Sequence, residues 1–397
     1  MWIQRDISKI IQNNTDAIQI IRGPRQCGKS SLLLNLDTSF KEISLDDPAL
    51  RELAQSDPEL FLRQFNSEKL FIDEAQYAPE LFPSLKRMAD LYKRENKTNP
   101  QTILRITGSN QILMEKNIKE SLAGRASFFD MNTLSVSEIL KSKKISIQEI
   151  IYTGGWPELH AHPNKNIKKF LDDYINSYVE KDIVLAAGIQ KSREFLKFVK
   201  LLAGRVGELL DFSSLGNDAG VNSNTVKEWV SVLEKMNIIF LVRPFSSNLS
   251  SRLIKSPKVY FIDTGLACRL QGWTSAEPII TSPQQGHLFE NLVFSEIYKM
   301  NINFQRGAEI FFWRSKDGEE VDFLLQFNPR DFIFIEAKVS RGKCKNINLF
   351  PEIKKVFKTK IPDQIICHQE GSHILDQNVP IGNLQDFLLN QINHSAD

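Results

Sequence analysis

The 397-residue chain has little of what builds cross-linked or metal-stapled proteins, with only four cysteines and six histidines. Cys27, Cys268, Cys344 and Cys367 are scattered without CxxC spacing, so neither a disulfide framework nor a zinc site is supported. His160 and His162 flank one alanine in a proline-containing loop and, with no third ligand in view, read as solvent-exposed. No apolar run approaches the roughly 18 residues a membrane span requires. The start, Met1-Trp2-Ile3-Gln4-Arg5-Asp6, lacks the apolar stretch of a signal peptide. A cytoplasmic protein with no membrane partner is therefore expected. A strong charge of one sign is also missing, since 50 Lys+Arg stand against 48 Asp+Glu for a net +2. Internal repeats and low-complexity tracts are absent as well.

What is present is ordinary globular composition, 42% hydrophobic, 25% charged and 10% aromatic, which excludes wholesale disorder and rod-like folds. At about 100–200 residues per domain, the length implies two to four domains. The near-neutral total hides a local excess: residues 181–260 carry 12 basic against 7 acidic side chains. Phosphate backbones attract such patches, and so does plain solvent.

Ala17-Ile18-Gln19-Ile20-Ile21 reads as a buried strand, followed by Gly23-Pro24-Arg25-Gln26-Cys27-Gly28-Lys29-Ser30 and the helix-like Ser31-Leu32-Leu33-Leu34-Asn35-Leu36. This is GxxxxGK[ST] in the strand–loop–helix context it requires. Glycines let the turn aim successive N–H groups at phosphate oxygens, and the helix N-terminus adds its positive dipole end. Gly23 through Ser31 are thus the expected nucleotide cradle, with Lys29 on the β/γ-phosphates and Ser30 on Mg²⁺. Lys69-Leu70-Phe71-Ile72-Asp73-Glu74 is a short apolar strand ending in two carboxylates. Asp73 is expected to hold Mg²⁺ and Glu74 to orient and deprotonate the attacking water. No NKxD follows, because Asn96-Lys97-Thr98-Asn99 lacks the aspartate, so ATP is expected rather than GTP. The strand Ile103–Thr107 exits at Gly108-Ser109-Asn110, which places Asn110 or Ser109 as a γ-phosphate sensor. Arg125 precedes the strand Ser127–Met131, where it reads either as a finger for a neighbouring subunit's nucleotide or as the partner of a local carboxylate.

Several stretches resemble one family. Leu45-Asp46-Asp47-Pro48, Asp57-Pro58-Glu59-Leu60-Phe61-Leu62, Ile72-Asp73-Glu74-Ala75-Gln76, Thr107-Gly108-Ser109-Asn110, Gly154-Gly155-Trp156-Pro157-Glu158, Tyr178-Val179-Glu180-Lys181-Asp182-Ile183, Arg252–Tyr260 and Asp263-Thr264-Gly265-Leu266 are similar to the bacterial and archaeal AAA-type ATPases joined to a DUF4143 C-terminal region. The resemblance covers nearly the whole chain and implies a RecA-like AAA core, a winged helix and a nuclease-like end.

The residues of the middle agree with that order. Between Ser135 and Lys191 the pattern is helical, broken at Gly154-Gly155 and Gly188 with Pro157 and Pro163 as further stops, which suggests a helical lid and connector. From Phe195 three helices are expected. In the third, Val226, Trp229, Val230, Leu233 and Met236 recur at helical spacing, a helix-turn-helix layout. The strands Ile238–Arg243 and Lys258–Ile262 then enclose a Ser-rich loop with Arg252 and Lys255, a candidate wing. This unit can face DNA or pack against a protein.

After Pro283-Gln284-Gln285-Gly286 comes a helix carrying Glu290, a hairpin across Lys316-Asp317-Gly318-Glu319, and the strand Phe332–Lys338. Glu336 and Lys338, two apart, share a strand face that Asp322 can meet from the neighbouring strand. The pattern is similar to the PD-(D/E)xK nucleases, although Val321 rather than proline precedes Asp322. Asp322, Glu336 and Glu290 are expected to hold Mg²⁺ or Mn²⁺, with Lys338 positioning water. Lys354, Lys355, Lys358 and Lys360 read as a phosphate-tracking rim or a solvated face.

The expected organisation is α/β and multidomain: a P-loop (RecA-like AAA) parallel-sheet core at 1–134, a helical lid and connector at 135–190, a winged helix at 191–280, and a restriction-endonuclease-like α/β domain at 281–397. The function expected is ATP hydrolysis coupled to a DNA-facing module, with homo-oligomerisation on ATP binding. The alternatives are a metal-dependent nuclease regulated by ATP, and an ATP-switched scaffold that binds a protein partner through the winged helix.

Overall fold

In a computed structural model the described residues are 2–65, 69–96, 98, 100–108, 122, 124–245, 256–315, 318–339, 357, 363–369 and 378–394. The N-terminal sheet has five strands, β1 (Ile18–Arg22), β2 (Phe40–Ser44), β3 (Lys69–Asp73), β4 (Leu104–Gly108) and β5 (Ala126–Asp130), ordered β2-β3-β4-β1-β5. Every pairing is parallel. Parallel strands are covered on both faces and therefore read as continuous apolar runs; Ile18, Ile20 and Ile21 of β1 are all buried. One apolar cluster forms around Ile18, Ile20, Ile72 and Leu85, and another around Ile21, Leu32, Phe71 and Phe129. With all strands pointing one way, the exits of β1, β3 and β4 open along one edge, where ligands of open α/β sheets bind. Strand β4 lies between the other two, so its exit faces both.

Polar caps start the helices that follow. Asp47 accepts from the N–H groups of Ala49 and Leu50 ahead of Pro48–Ser56, and Ser135 with Glu138, then Ser146 with Glu149, form capping boxes. The helices Val136–Ser142, Ile147–Thr153, Pro157–Ala161 and Ile167–Tyr174 run into a nine-residue π-helical segment, Ile175–Ile183. The three helices expected next form as Ser192–Ala203, Phe212–Ala219 and Ser223–Lys235, with Val226, Trp229, Val230, Leu233 and Met236 buried. Arg252 and Lys255 lie outside the described residues.

The second sheet is mixed. Strands β6 (Ile239–Pro244), β7 (Lys258–Phe261), β8 (Glu309–Arg314), β9 (Glu320–Asn328), β10 (Asp331–Lys338), β11 (Asp363–His368) and β12 (Asn378–Pro380) are ordered β12-β11-β10-β9-β8-β6-β7. The hairpin β6–β7 is therefore not free-standing: β6 pairs with β8 through Arg243↔Phe311 and Pro244↔Phe312. A single apolar cluster runs from Leu134 and Trp156 through Trp229 and Phe294 to Ile365 and Leu388. The middle and C-terminal regions thus share one sheet and one core. The long helix Gln285–Asn303 lies in that core, and its Asn291 side chain donates to the carbonyl and accepts from the N–H of Phe261.

His160 departs from expectation. It is buried, its Nε2 donates to the Gly154 carbonyl at 2.7 Å, and burial pushes its pKa down to about 4. The Asp263 carboxylate packs against Gly154, a contact more than a hundred residues away along the chain that the local sequence does not announce. No helix among the described residues is long and apolar enough to cross a membrane.

Candidate functional site

The loop between β1 and the helix Lys29–Leu36 is held by backbone that only some residues adopt. Gly28 has φ +92° and Gln26 +60°. A Cβ on Gly23 would stand 2.0 Å from the Met131 carbonyl oxygen, so only glycine lets the loop approach β5's exit this closely. Lys29, nearly buried, donates from Nζ to the carbonyls of Gly23 and Pro24 at 3.0 and 2.9 Å. Its ammonium is thus stored inside the loop. Arg5 supports the loop from behind, donating to the Cys27 carbonyl at 2.8 Å and the Asn132 carbonyl at 2.6 Å while its Nε pairs with Glu138 at 3.2 Å.

At the neighbouring exits, the Ser30 hydroxyl lies 3.0 Å from both carboxylate oxygens of Asp73, and the Thr107 hydroxyl at the end of β4 also donates to Asp73. Burial pushes the Asp73 carboxyl above the usual aspartate range; the Thr107 hydroxyl opposes that rise and the Glu74 charge adds to it. Glu74 has φ +55°, a left-handed conformation costly for a non-glycine residue, and Gln76 donates to its carboxylate. Ser30 and Asp73 are the hard oxygen donors that Mg²⁺ prefers, brought to one point. The cleft above has a volume of about 660 Å³. Arg25, Gln26, Gly28, Lys29, Ser30, Ser31, Asp46 and Glu74 line one side; Pro157, Glu158, Lys165 and Phe170 line the other. It therefore lies between the first sheet and the helices that follow.

The C-terminal carboxylates are arranged differently from expectation. Asp322 accepts from the Ala337 N–H at 2.8 Å; Lys338 Nζ stands 2.7 Å from Glu336 and 4.0 Å from Asp322. Burial pushes both carboxyls well above the usual carboxylate range, Glu290 adding to the rise at Asp322 and Asp322 to that at Glu336. Glu290, expected beside them as a metal ligand, instead accepts from Lys258 Nζ at 3.1 Å and Tyr260 OH at 2.5 Å. Lys258 also pairs with Glu320. Burial opposes the charge on Lys258, yet Glu290 and Glu320 hold its pKa above the usual lysine range. Among the described residues, no three His, Cys, Asp or Glu side chains converge to hold a metal ion. The expected Glu290–Asp322–Glu336 metal set does not form as described, because a lysine from β7 brings the positive charge.

Residues 15–140 match the family described as AAA domain, residues 144–277 one described as Domain of unknown function (DUF8612), and residues 285–384 one described as Domain of unknown function (DUF4143). The chain joins an AAA domain to a DUF4143 domain. The uncharacterized protein Rv2008c of Mycobacterium tuberculosis is 26% identical over 319 residues, which is 80% of this chain and 69% of that protein. The uncharacterized protein MJ1544 of Methanocaldococcus jannaschii is 26% identical over 363 residues, covering 83% and 76%. Among solved structures, the Walker-type ATPase PABY2304 of Pyrococcus abyssi aligns with a TM-score of 0.40 at 16% identity, over 67% of this chain and 94% of that one.

Within the AAA domain the expected cradle divides by role. Arg25, Gln26, Gly28, Lys29, Ser30 and Ser31 line the cleft, and Gly23 and Pro24 hold Lys29. Cys27 turns its thiol away toward the Met131 carbonyl, in the core. Arg125 pairs with Asp90 on the helix Leu81–Glu95 at 2.7 Å. Asn110, like Ser109, lies outside the described residues, as do Lys354, Lys355, Lys358 and Lys360 and the Lys316-Asp317 turn. Arg5, Thr107 and Lys258 had no assigned role from sequence. Thr107 had a readable sign, a polar residue ending an apolar strand, whereas nothing around Arg5 announces its reach across the fold. The cleft walls Glu158, Lys165 and Phe170 belong to the DUF8612 region.

Proposed function

We propose that this protein binds ATP with Mg²⁺ and hydrolyses it, using the nucleotide state to act on the DUF8612 and DUF4143 regions that share one core. The observation that carries this is the convergence of Lys29, Ser30, Asp73 and Glu74 at one edge of the parallel sheet, in a cleft whose far wall belongs to the next region. Loop N–H groups and the Lys29 ammonium, once it leaves the Gly23 and Pro24 carbonyls, bind phosphate oxygens. Ser30 and Asp73 would hold Mg²⁺, which neutralises phosphate charge when bound. Thr107 keeps the Asp73 carboxylate aimed. Glu74, steadied by Gln76, takes a proton from water as its oxygen bonds to the γ-phosphorus and the bond to the β,γ-bridging oxygen breaks, leaving ADP and phosphate.

Phosphate release and binding of a fluorescent ATP analogue test this together. Lys29→Ala is expected to lose binding, and Glu74→Gln to keep binding while turnover stops. Equal turnover in Glu74→Gln and wild type would remove Glu74 from water activation.

A second reading makes DNA the partner, through a winged helix at 191–280 set against a restriction-endonuclease-like end. It is favoured by three successive helices leading into a hairpin, in a segment with 12 basic against 7 acidic residues. Lys258 among the carboxylates favours binding over cleavage. The same variants titrated with duplex DNA should show salt-sensitive binding that differs between the ATP-analogue and ADP states. No binding at low salt would exclude DNA.

A further inference from the structure

Arg25 is unusual among the cleft residues because its guanidinium is bound to the neighbouring region. Nη1 pairs with Asp182 of the π-helical segment Ile175–Ile183 at 2.8 Å, and Nη2 meets the Tyr77 hydroxyl at 3.3 Å. Tyr77 closes the turn Ala75–Tyr77 that follows Glu74. One side chain therefore links the phosphate loop, the turn after the catalytic carboxylates and the segment leading into the three-helix unit.

We propose that Arg25 is a nucleotide-displaced latch: ATP draws its guanidinium from Asp182 to the terminal phosphate, releasing the segment 175–183. The inference rests on the ATP reading above and names how that state leaves the cleft. Three observations carry it. Arg25 lines the cleft beside Lys29 and Ser30, so it stands where the phosphates enter. Its pair with Asp182 is partly open to solvent, with side-chain exposures of 38% and 31%. Such a pair biases an equilibrium by only about two- to fivefold, whereas a phosphate offers more charge and a bidentate match to guanidinium. Finally, π-helical winding is rare and tends to occur at functional sites; this segment packs into the core through Ile175, Tyr178, Val179 and Ile183 while Asp182 on its outer side meets Arg25, so loss of that pair frees the side that faces the phosphate loop. ADP, lacking the third phosphate, leaves the pair in place.

The test is hydrogen exchange of the full chain over residues 175–183, without nucleotide, with ADP and with a non-hydrolysable ATP analogue, beside nucleotide affinities. In wild type, exchange there rises with the analogue and not with ADP. Asp182→Asn shows the raised exchange without nucleotide and binds the analogue about two- to fivefold tighter, with ADP affinity unchanged; Asp182→Glu restores wild-type behaviour. Analogue binding that leaves exchange unchanged, or an Asp182→Asn chain that binds it no tighter, overturns the latch alone. Failure of wild type to bind any nucleotide overturns the ATP reading and the latch with it.

Discussion

Glu296 offers a quantitative test of how the C-terminal region is joined to the AAA domain. It lies on the helix Gln285–Asn303, is fully buried, and accepts from the Val136 N–H at 2.9 Å, so it caps the helix Val136–Ser142, whose Glu138 holds Arg5 and through it the phosphate loop. Its second carboxylate oxygen has no hydrogen-bond partner. Burial raises its pKa from 4.5 to about 7, with Lys299 and the Val136 N–H opposing the rise. Between those two values the folded chain holds a proton that the unfolded chain releases, so stability falls as pH rises through the window and the loss is complete above it. The span corresponds to about 3 kcal/mol. Glu296→Gln keeps an acceptor for Val136 and cannot ionise. The variant should match wild type near pH 4, below the unfolded value, and exceed it by about 3 kcal/mol near pH 8. Urea unfolding followed by tryptophan fluorescence suits the measurement, because Trp156, Trp229, Trp273 and Trp313 all lie in the shared unit. Stability curves that stay parallel from acid to alkaline pH would refute the protonated, buried carboxyl.

Two further outcomes follow from ion pairs that the fold assembles. Lys258→Met removes the partner of Glu290 and Glu320 from a site where the lysine side chain is only 6% exposed, and should cost about 3–5 kcal/mol in unfolding measurements; the same variant should gain Asp322-dependent Mn²⁺ binding that wild type lacks, whereas Mn²⁺ binding in wild type that disappears in Asp322→Ala would show that Lys258 does not exclude a metal. Arg125→Ala breaks a half-exposed pair with Asp90, so turnover should stay within about twofold; a fall of about a thousandfold would instead mark Arg125 as a finger reaching another subunit.

The strand, loop and helix around Lys29 were legible because their pattern is local. Glycines, lysine and serine follow one another along a loop whose strand and helix are each announced by apolar pattern, and Asp73-Glu74 ends a strand that reads as buried. The three helices of the middle were legible for the same reason, through the spacing of Val226, Trp229, Val230 and Leu233. What failed to appear were pairings between residues far apart in the chain. His160 looked solvent-exposed because its neighbours are a proline loop; only packed helices bury it. Glu290 looked like a metal ligand because acidic residues near a strand carrying Glu336 and Lys338 suggest a cation, and nothing local announces that Lys258 pairs with it.

The sequence alone determined the phosphate loop, the acidic strand end, the capped helices and the apolar strands, since each depends on periodicity or on side chains within a few residues of one another. Tertiary structure decided the rest: that β4 separates β1 from β3 and sets Thr107 on Asp73, that Arg5 fastens the loop from behind, that β6 pairs with β8 so two expected domains share a sheet, and that Arg25 reaches Asp182. Those contacts join residues tens to more than a hundred positions apart, and no local pattern specifies them because the free energy that selects them comes from burying many apolar faces at once.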